Sequence, residues 1–259
     1  MSLHQASGRW RLGLLLALVT AACWATLPVA LKVTLEQVDP YTLTWFRFLL
    51  AAVLMFAWLA ARRGLGGFAT LDRKRWGMLL AAALLLIGNY VFYLLGVQQT
   101  SPANAQLLIQ LAPLLMALGG IFVFGERFNG WQWLGLATIV GGLGLFFRDQ
   151  LDGGGAGYLF GSSLVVLAAV VWAGYALLQK QLLLRLSSPA MLLFIYVVAS
   201  LVLLPLARPA TLLQLDGLHW ALLLYCALNT LVAYGAFAEA LAHWEASRVS
   251  AILATTPLL

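Results

Sequence analysis

Polar side chains with neutral donors and acceptors recur inside long apolar stretches of this chain. Asn89 and Tyr93 are four positions apart, so on a helix they share one face and place an amide beside a phenol. Gln110 adds a second amide in the next apolar stretch. Such groups bind small polar solutes, and they also form interhelical hydrogen bonds worth about 0.6 kcal/mol each. Two interpretations therefore stay open: the wall of a binding pocket, or contacts that hold helices together.

Large aromatic side chains form a second candidate set. Trp24 and Trp172 lie near the centres of two apolar segments, although membrane proteins usually carry Trp at the interfaces. A pair at mid-depth is typical of a cavity that stacks a flat or cationic solute, and simple packing is the alternative. Tyr175, one turn after Trp172, is placed on the same face, and Tyr234 is a further candidate for this lining.

Prolines interrupt three of the segments, at Pro28, Pro113 and Pro257. Proline removes an i→i−4 hydrogen bond and kinks a helix. Each position is therefore a hinge point or a static kink.

Few ionisable residues lie at membrane depth. Arg47 is about two turns into the second segment, and we expect it to snorkel outward rather than attract a carboxylate. Lys32 and Lys180, near helix ends, are expected to snorkel as well. Glu239 is either a proton-coupling group or an interfacial acid. We interpret Glu126-Arg127 as a turn.

The composition indicates a polytopic helical membrane protein. The 259 residues are 63% hydrophobic and only 9% charged, whereas soluble domains carry about 25% charged residues. Apolar runs of about 20 residues recur, each long enough to cross a hydrocarbon core of about 30 Å. The net charge of +6 resides in loops, which excludes a nucleic-acid partner. The two cysteines lack metal or disulfide spacing, so we expect neither a metal nor a cofactor.

The chain contains the same module twice. Residues 76–115 align without a gap to residues 220–259, an offset of 144 (220 − 76), and Trp24 pairs with Trp172 and Lys32 with Lys180 at an offset of 148. We predict one five-helix repeat over 1–150 and a second over 151–259, divided near the glycine-rich run 152–155. The nine predicted helices are about 12–33, 41–61, 76–96, 103–124, 131–147, 158–181, 189–207, 219–241 and 247–259.

The distribution of cations predicts the orientation. Of the 15 Lys and Arg residues, 11 fall on the side of the N-terminus, 3 on the other side and Arg47 within a helix. Cytoplasmic loops carry the excess of Lys and Arg, so the N-terminus is predicted to be cytoplasmic, in a bacterial inner membrane. Five crossings are an odd number, so the second repeat enters the membrane inverted, an arrangement that can expose one central site to either side in turn.

The ninth helix is about a dozen residues long and too short to span a bilayer. We expect the sequence to be truncated, with the last helix and part of the ninth absent from a ten-helix protein.

The first half of the chain contains four short motifs in a fixed order. They are Gln110-Leu-Ala-Pro113-Leu-Leu, Phe124-Gly-Glu-Arg-Phe128, Trp133-Leu-Gly and Gly141-Gly-Leu-Gly144. This order of motifs closely resembles the first repeat of EamA-type transporters in the drug/metabolite transporter superfamily. Within that superfamily the chain is similar to amino-acid exporters of the YddG kind. The resemblance implies a central cavity lined by helices one, three, four, six, eight and nine. It also implies that helices two and seven move, that helices five and ten are peripheral, and that transport is outward.

Other function classes fit less well. An intramembrane enzyme needs a nucleophile with a base, or paired acids, at membrane depth, and a channel favours continuous polar rings; the sequence shows neither. A receptor or scaffold would leave the inverted repeat without a use. We therefore predict a secondary transporter, monomeric or homodimeric in the lipid bilayer, that moves an amino acid or related small organic metabolite by alternating access.

Overall fold

The computed structural model describes residues 7–62, 68, 71–127, 130–153 and 155–258. Within these ranges every regular element is a helix. Ten α-helices follow one another: α1 Trp10–Thr34, α2 Pro40–Ala61, α3 Arg73–Gln99, α4 Pro102–Leu108, α5 Leu111–Phe124, α6 Gly130–Gly153, α7 Ala156–Leu182, α8 Ser188–Leu203, α9 Gly217–His243 and α10 Ala246–Leu253. Short 3₁₀ helices lie at Pro209–Gln214 and Thr256–Leu258.

Capping side chains start four of the helices: Asp39, Asp72, Ser101 and Asp216. Each accepts a hydrogen bond from an N–H group of the first turn, which has no partner within the helix. Oδ1 of Asp39, for example, accepts from Tyr41 and Thr42, both at 3.0 Å. Hydrogen bonds from His219 lower the pKa of Asp216 to about 2.

Six helical stretches of the described residues are long and apolar enough to cross a membrane: Trp10–Thr34, Pro40–Ala61, Arg73–Gln99, Pro102–Phe124, Gly157–Leu182 and Gly217–His243. The apolar helix α8 has 16 residues and is shorter than the predicted 189–207. Pro205 explains the difference, because it has no N–H to donate to the Leu201 carbonyl and so ends the α-helical hydrogen bonding, although Leu204 itself keeps helical dihedral angles. Helix α6 instead extends beyond the predicted 131–147 to Gly153, into the run expected to divide the repeats. The division near residue 150 stays a prediction.

The two repeats interlock rather than pack as separate bundles. Helix α3 packs chiefly on α7, α1 on α9 and α2 on α8, whereas α5 packs equally on α10 and α7. In the alignment α1 corresponds to α7, α2 to α8, α3 to α9, and α4–α5 to α10. Exchanging the repeats therefore maps the α3–α7 contact onto α9–α1 and leaves α2–α8 and α5–α10 paired as before.

The matching lysines Lys32 and Lys180 lie at opposite ends of the bundle. Lys32 is near the end of α3, where its Nζ donates to the Val97 carbonyl at 3.4 Å. Lys180 pairs with Glu126, which also contacts the start of α10. Helix α10 follows directly on α9, and the backbone N–H of Ser7, just before α1, donates to the Ala242 carbonyl of α9 at 3.1 Å. We name these the Lys32 end and the Lys180 end. Matching residues of the two repeats thus lie at opposite ends of the bundle, as they do when the repeats are inverted.

Two matching glycines allow close helix contacts. A Cβ at Gly13 of α1 would lie 2.6 Å from Cβ of Trp244, and a Cβ at Gly161 of α7 would lie 2.9 Å from Cγ2 of Thr100. Gly13 and Gly161 correspond at the offset of 148, and Thr100 and Trp244 at 144. In both repeats, therefore, a glycine near the start of the first helix lets a neighbouring segment approach closely.

The predicted fourth helix, 103–124, is two helices in the structure. Helix α4 ends at Leu108 and α5 begins at Leu111. Pro113 has no N–H to donate to the Ile109 carbonyl, which instead accepts from Ala112 at 2.8 Å in the tighter i→i−3 pattern. Helix α10 ends in the same way ahead of Pro257, which lies in a 3₁₀ turn. Pro28, by contrast, lies inside an uninterrupted α1.

Candidate functional site

A cavity lies at the centre of the bundle, enclosed by helices of both repeats. Its volume is about 100 Å³. Since one water needs about 10–15 Å³ of such volume, several waters or a small organic solute fit. Six of the seven residues predicted to bind substrate line it: Trp24, Asn89, Tyr93, Gln110, Trp172 and Tyr234. Pro28 and Pro113 line it as well, whereas Tyr175 and Pro257 do not.

Aromatic rings from three helices meet at one side of this cavity. The centroids of Trp24 and Trp172 are 5.5 Å apart at an interplanar angle of 79°, an edge-to-face contact. Trp24 makes a similar contact with Tyr234 at 5.5 Å and 61°, and Trp172 packs on Phe237 at 5.1 Å. Aromatic pairs at these distances gain about 0.5–1.5 kcal/mol beyond area burial. The rings therefore hold each other in place and present a fixed apolar surface.

Three amide side chains line the cavity, and two of them, Asn89 and Gln110, differ in their partners. Nδ2 of Asn89 donates to the Ala168 carbonyl of α7 at 3.0 Å, so this amide also ties α3 to α7. Nε2 of Gln110 donates to the Gln106 carbonyl at 3.1 Å, while its Oε1 is buried and has no hydrogen-bond partner among the described residues. Gln110 stands in the break between α4 and α5, so the Pro113 distortion sets its position. One acceptor of the cavity wall is thus buried and unpartnered.

Arg47 corrects the sequence prediction, since it does not snorkel outward. Its side chain is 2% exposed and lines the cavity. Nε donates to Oγ1 of Thr230 at 2.9 Å and to the Cys226 carbonyl at 3.2 Å, and the guanidinium lies 4.6 Å from the ring centroid of Tyr90. These partners come from α3 and α9, far from Arg47 in the sequence, so the sequence around Arg47 does not predict them. Tyr90, like Arg47, was not in the predicted site.

Lys180 and Glu126 also differ from expectation, because they form a buried ion pair. Lys180 is 2% exposed and Glu126 7%. Oε1 of Glu126 accepts from the Ala246 N–H at 2.9 Å and Oε2 from the Ser247 N–H at 2.8 Å, which places a carboxylate at the N-terminus of α10. We name Glu126, Lys180 and these two N–H groups the Glu126 latch. It ties α5, α7 and α10 together at the Lys180 end.

The pKa of Glu126 reflects competing effects. Burial of its carboxyl raises the pKa, but the ammonium of Lys180 and the hydrogen bonds from Ser247 lower it more, so the net pKa lies below the ordinary value. The carboxylate is therefore charged at neutral pH. A second, larger cavity opens at the Lys180 end and is lined by charged side chains that include Glu126, Lys180 and Arg248.

Two groups on α7 are buried without partners. Tyr175 is fully buried with its ring 6.0 Å from Tyr234, and its hydroxyl has no hydrogen-bond partner in the part of the chain that is described. The side chain of Gln179, one turn further on, is fully buried, and neither of its polar atoms has such a partner. Buried polar groups are nearly always hydrogen-bonded, so these exceptions call for an explanation.

Glu239 lies away from the central cavity. Its side chain is 41% exposed, and Oε2 is 3.6 Å from Nε2 of His243. This position favours the interfacial interpretation, and its coupling role stays a prediction. Among the described residues no group of three or more His, Cys, Asp and Glu side chains could hold a metal ion.

Comparison with known proteins decides what kind of protein carries this cavity. The model of the EamA-like transporter family matches residues 11–148 and 159–259, which together are most of the sequence. The chain belongs to the EamA-like transporter family. Two EamA repeats form one multi-pass, all-α membrane protein, and the predicted family resemblance is confirmed.

Relatives of this EamA-like chain carry transporter names. It is 40% identical over 256 residues to the protein named Uncharacterized inner membrane transporter YhbE of Escherichia coli K12, covering 95% of this chain and 78% of the relative. A transporter of Haemophilus influenzae is 34% identical over 249 residues, 95% of this chain and 81% of the relative. A more distant relative of Escherichia coli K12, 26% identical over 94% of this chain and 83% of its own length, is named a probable amino-acid metabolite efflux pump.

A solved structure shares the fold of this EamA-like protein. The match has a TM-score of 0.73 at 20% identity and covers 96% of this chain and 86% of the solved chain. At this identity the likeness concerns the fold alone.

Proposed function

We propose that this protein is a secondary transporter that moves an amino acid or related small organic metabolite out of a bacterial cell by alternating access. One observation carries the proposal: the central cavity is built from both inverted repeats, with the corresponding residues Trp24 and Trp172 in contact at its side. A site shared by inverted repeats is one that their relative movement can open to either side. The efflux name of the more distant relative supports the outward direction.

The chemistry of the cavity fits a small organic solute. Its aromatic surface takes an apolar or flat group, and its amides take polar atoms, as ligand pockets with mostly apolar walls and a few placed polar groups do. The described lining residues include no Asp or Glu. A metal ion or other simple cation is therefore a poor cargo for this site.

The positions of the central cavity and of the Glu126 latch support one state of the proposed cycle. Leu31, Leu94 and Gln106 line the cavity within two turns of the helix ends that meet at the Lys32 end. The Glu126 latch holds α5, α7 and α10 together at the opposite end. The excess of Lys and Arg on the N-terminal side orients the Lys180 end toward the cytoplasm. In the proposed orientation, the latch thus closes the path from the cytoplasm to the central cavity, and the second cavity lies at the same end as the latch.

Exchange of the repeats predicts the other state. Leu27 and Leu31 of α1 line the cavity, and at the offset of 148 they correspond to Tyr175 and Gln179 of α7, the buried polar groups without partners. If the repeats exchange conformations, these two side chains come to line a cytoplasmic cavity, where solute and water satisfy them. Their lack of partners in the present state is then explained by the hydrogen bonds that they form when the cavity opens to the cytoplasm.

Transport by purified protein in liposomes tests the proposed function. We expect saturable uptake of at least one labelled compound from a panel of amino acids, nucleosides and quaternary amines, and counterflow when the same unlabelled compound is loaded inside. Counterflow is the diagnostic readout, because a channel does not exchange solute against solute. Absence of saturable uptake and of counterflow for the whole panel, with correctly folded protein in the liposomes, would refute the transporter proposal.

A further inference from the structure

Arg47 presents an electrostatic problem that the fold alone does not solve. It is 2% exposed, lies on α2 inside a membrane-spanning stretch, and forms no ion pair with any carboxylate of the described chain. Charged side chains at such depth are costly, and they usually pair with an opposite charge or mark a solute pathway. The partners Thr230 and Cys226 provide hydrogen bonds but no negative charge.

The cavity around Arg47 has no other charge to balance it. The described residues of its lining include one cation and no acid. Apolar walls strengthen the field of a charge inside a cleft, because the surrounding dielectric screens it weakly. The cavity is therefore electropositive and attracts an anionic group.

The guanidinium is also held in one orientation. Its Nε–H donates to Oγ1 of Thr230 at 2.9 Å and its plane lies over the Tyr90 ring, 4.6 Å from the centroid. The terminal nitrogens of an Arg carry four further N–H donors. A pre-oriented guanidinium of this kind matches a carboxylate in two parallel hydrogen bonds.

We propose that the transported solute carries a carboxylate that binds Arg47, and that its apolar or aromatic part lies against the Trp24–Trp172 surface. The unpartnered Oε1 of Gln110 then accepts a hydrogen bond from the ammonium group when the solute is an α-amino acid. This inference rests on the proposed transport function and narrows its substrate class to small organic monocarboxylates.

A structural role for Arg47 makes a different prediction. A residue that only joined α2 to α9 through Thr230 and Cys226 would affect every solute equally when changed. A carboxylate anchor affects only solutes that carry the carboxylate. Comparing matched ligands with and without this group therefore separates the two roles.

Binding to the purified full chain in detergent tests the proposal with L-phenylalanine, phenylacetate and L-phenylalaninamide. We expect the wild type to bind the first two at least about tenfold more tightly than the amide, which lacks the carboxylate. Arg47→Gln should reduce this preference to about twofold or less while the amide binds as before. Arg47→Lys should keep part of the preference, because it keeps the charge but loses the fork. Arg62→Gln, an exposed cation at the end of the same helix, is the matched control and should behave as wild type.

Two results would overturn the proposal. One is a wild type that binds the amide as tightly as the acids, which needs no variant and stands even if Arg47→Gln fails to fold. The other is an Arg47→Gln or Arg47→Lys protein that loses affinity for acids and amide in equal measure. Either result leaves the transporter proposal intact if liposomes show counterflow of any compound, whereas absent counterflow removes the transport function independently of the carboxylate.

Discussion

Trp24 of the first repeat touches Trp172 of the second edge to face, with their ring centroids 5.5 Å apart. The two residues occupy matching positions in α1 and α7, so this contact crosses the boundary between the repeats at the cavity itself. Any movement of one repeat against the other alters the surface that a solute meets.

Removing the first of these rings should impair transport. We expect Trp24→Ala to lower kcat/KM by about tenfold, because an aromatic pair contributes about 0.5–1.5 kcal/mol in addition to the area that the ring buries. Trp24→Phe should retain most of the rate. Trp131→Ala removes a ring that is 81% exposed and serves as control. Liposome uptake is the measurement, and a wild-type rate for Trp24→Ala would discard the aromatic pocket.

Breaking the Glu126 latch should destabilise the closed cytoplasmic end. Glu126→Gln leaves the buried ammonium of Lys180 without its counter-charge, which costs about 3–5 kcal/mol in comparable pairs. The expected result is a lower melting temperature in detergent. Adding Lys180→Met should recover part of the loss, since the unpaired charge is then gone. Glu245→Gln is the control, because its pair with Arg248 is surface-exposed; equal effects of Glu126→Gln and Glu245→Gln would contradict the latch.

The same pair has a predictable response to pH. The pKa of Glu126 in the folded protein lies below its ordinary value, so its stabilising contribution is complete above the unfolded pKa of about 4.3. The contribution is lost as the pH falls through the folded pKa, which is lower still. Between pH 5 and 8 we therefore expect the melting-temperature difference between wild type and Glu126→Gln to stay constant. A difference that shrinks as the pH falls from 7 to 5 would show that the carboxyl titrates there.

Exchange of the repeats predicts opposite accessibility at two matching positions. In a background without Cys23 and Cys226, we expect Leu27→Cys, which lines the cavity and is partly exposed, to react with a membrane-impermeant thiol reagent from the Lys32 side when the cytoplasmic end is closed. Tyr175→Cys, at the matching buried position, should react only from the cytoplasmic side, and its labelling should rise when Glu126→Gln opens the latch. The rate of labelling in oriented vesicles is the measurement. Simultaneous labelling of both positions from one side is incompatible with the exchange.

Proton coupling through Glu239 predicts that Glu239→Gln abolishes pH-driven accumulation while counterflow persists. Because the structure places this carboxylate outside the cavity and close to His243, we expect instead that both activities remain. Accumulation under an imposed pH gradient, compared with counterflow in the same liposomes, decides between them. Loss of accumulation alone would restore the coupling role.

The architecture was accessible from the sequence because its signals are long. Apolar runs of membrane length, a gapless internal alignment and the asymmetry of cations together specify a duplicated helical bundle. The matched positions of Trp24 and Trp172 located the cavity, since residues that correspond in inverted repeats meet near the axis that relates them. Asn89 and Tyr93, chosen from their spacing, both line the cavity, and their role in binding stays a prediction.

The errors concern charges and breaks that depend on distant partners. Arg47 was expected to snorkel because Tyr90 and Thr230, which enclose it, are far away in the chain. Lys180 was expected to snorkel because nothing in the sequence links it to Glu126. Tyr175 shares a helix with Trp172, but it lies one turn closer to the Lys180 end and about 60° around the helix, which places it off the cavity in this conformation. The division of the fourth helix depends on how backbone geometry relaxes ahead of Pro113, which spacing does not reveal.

The contacts of Gly13 with Trp244 and of Gly161 with Thr100 constrain how the molecule changes shape. Neighbours this close leave no room for one helix to slide lengthwise past the other, whereas rotation about the contact preserves it. If the proposed cycle moves one repeat against the other, we expect these two contacts between the repeats, one at each end of the bundle, to act as pivots. The proposed transport cycle is therefore a rotation of the repeats about these two contacts. Changing either glycine to alanine should hinder this rotation without altering the residues that line the binding cavity.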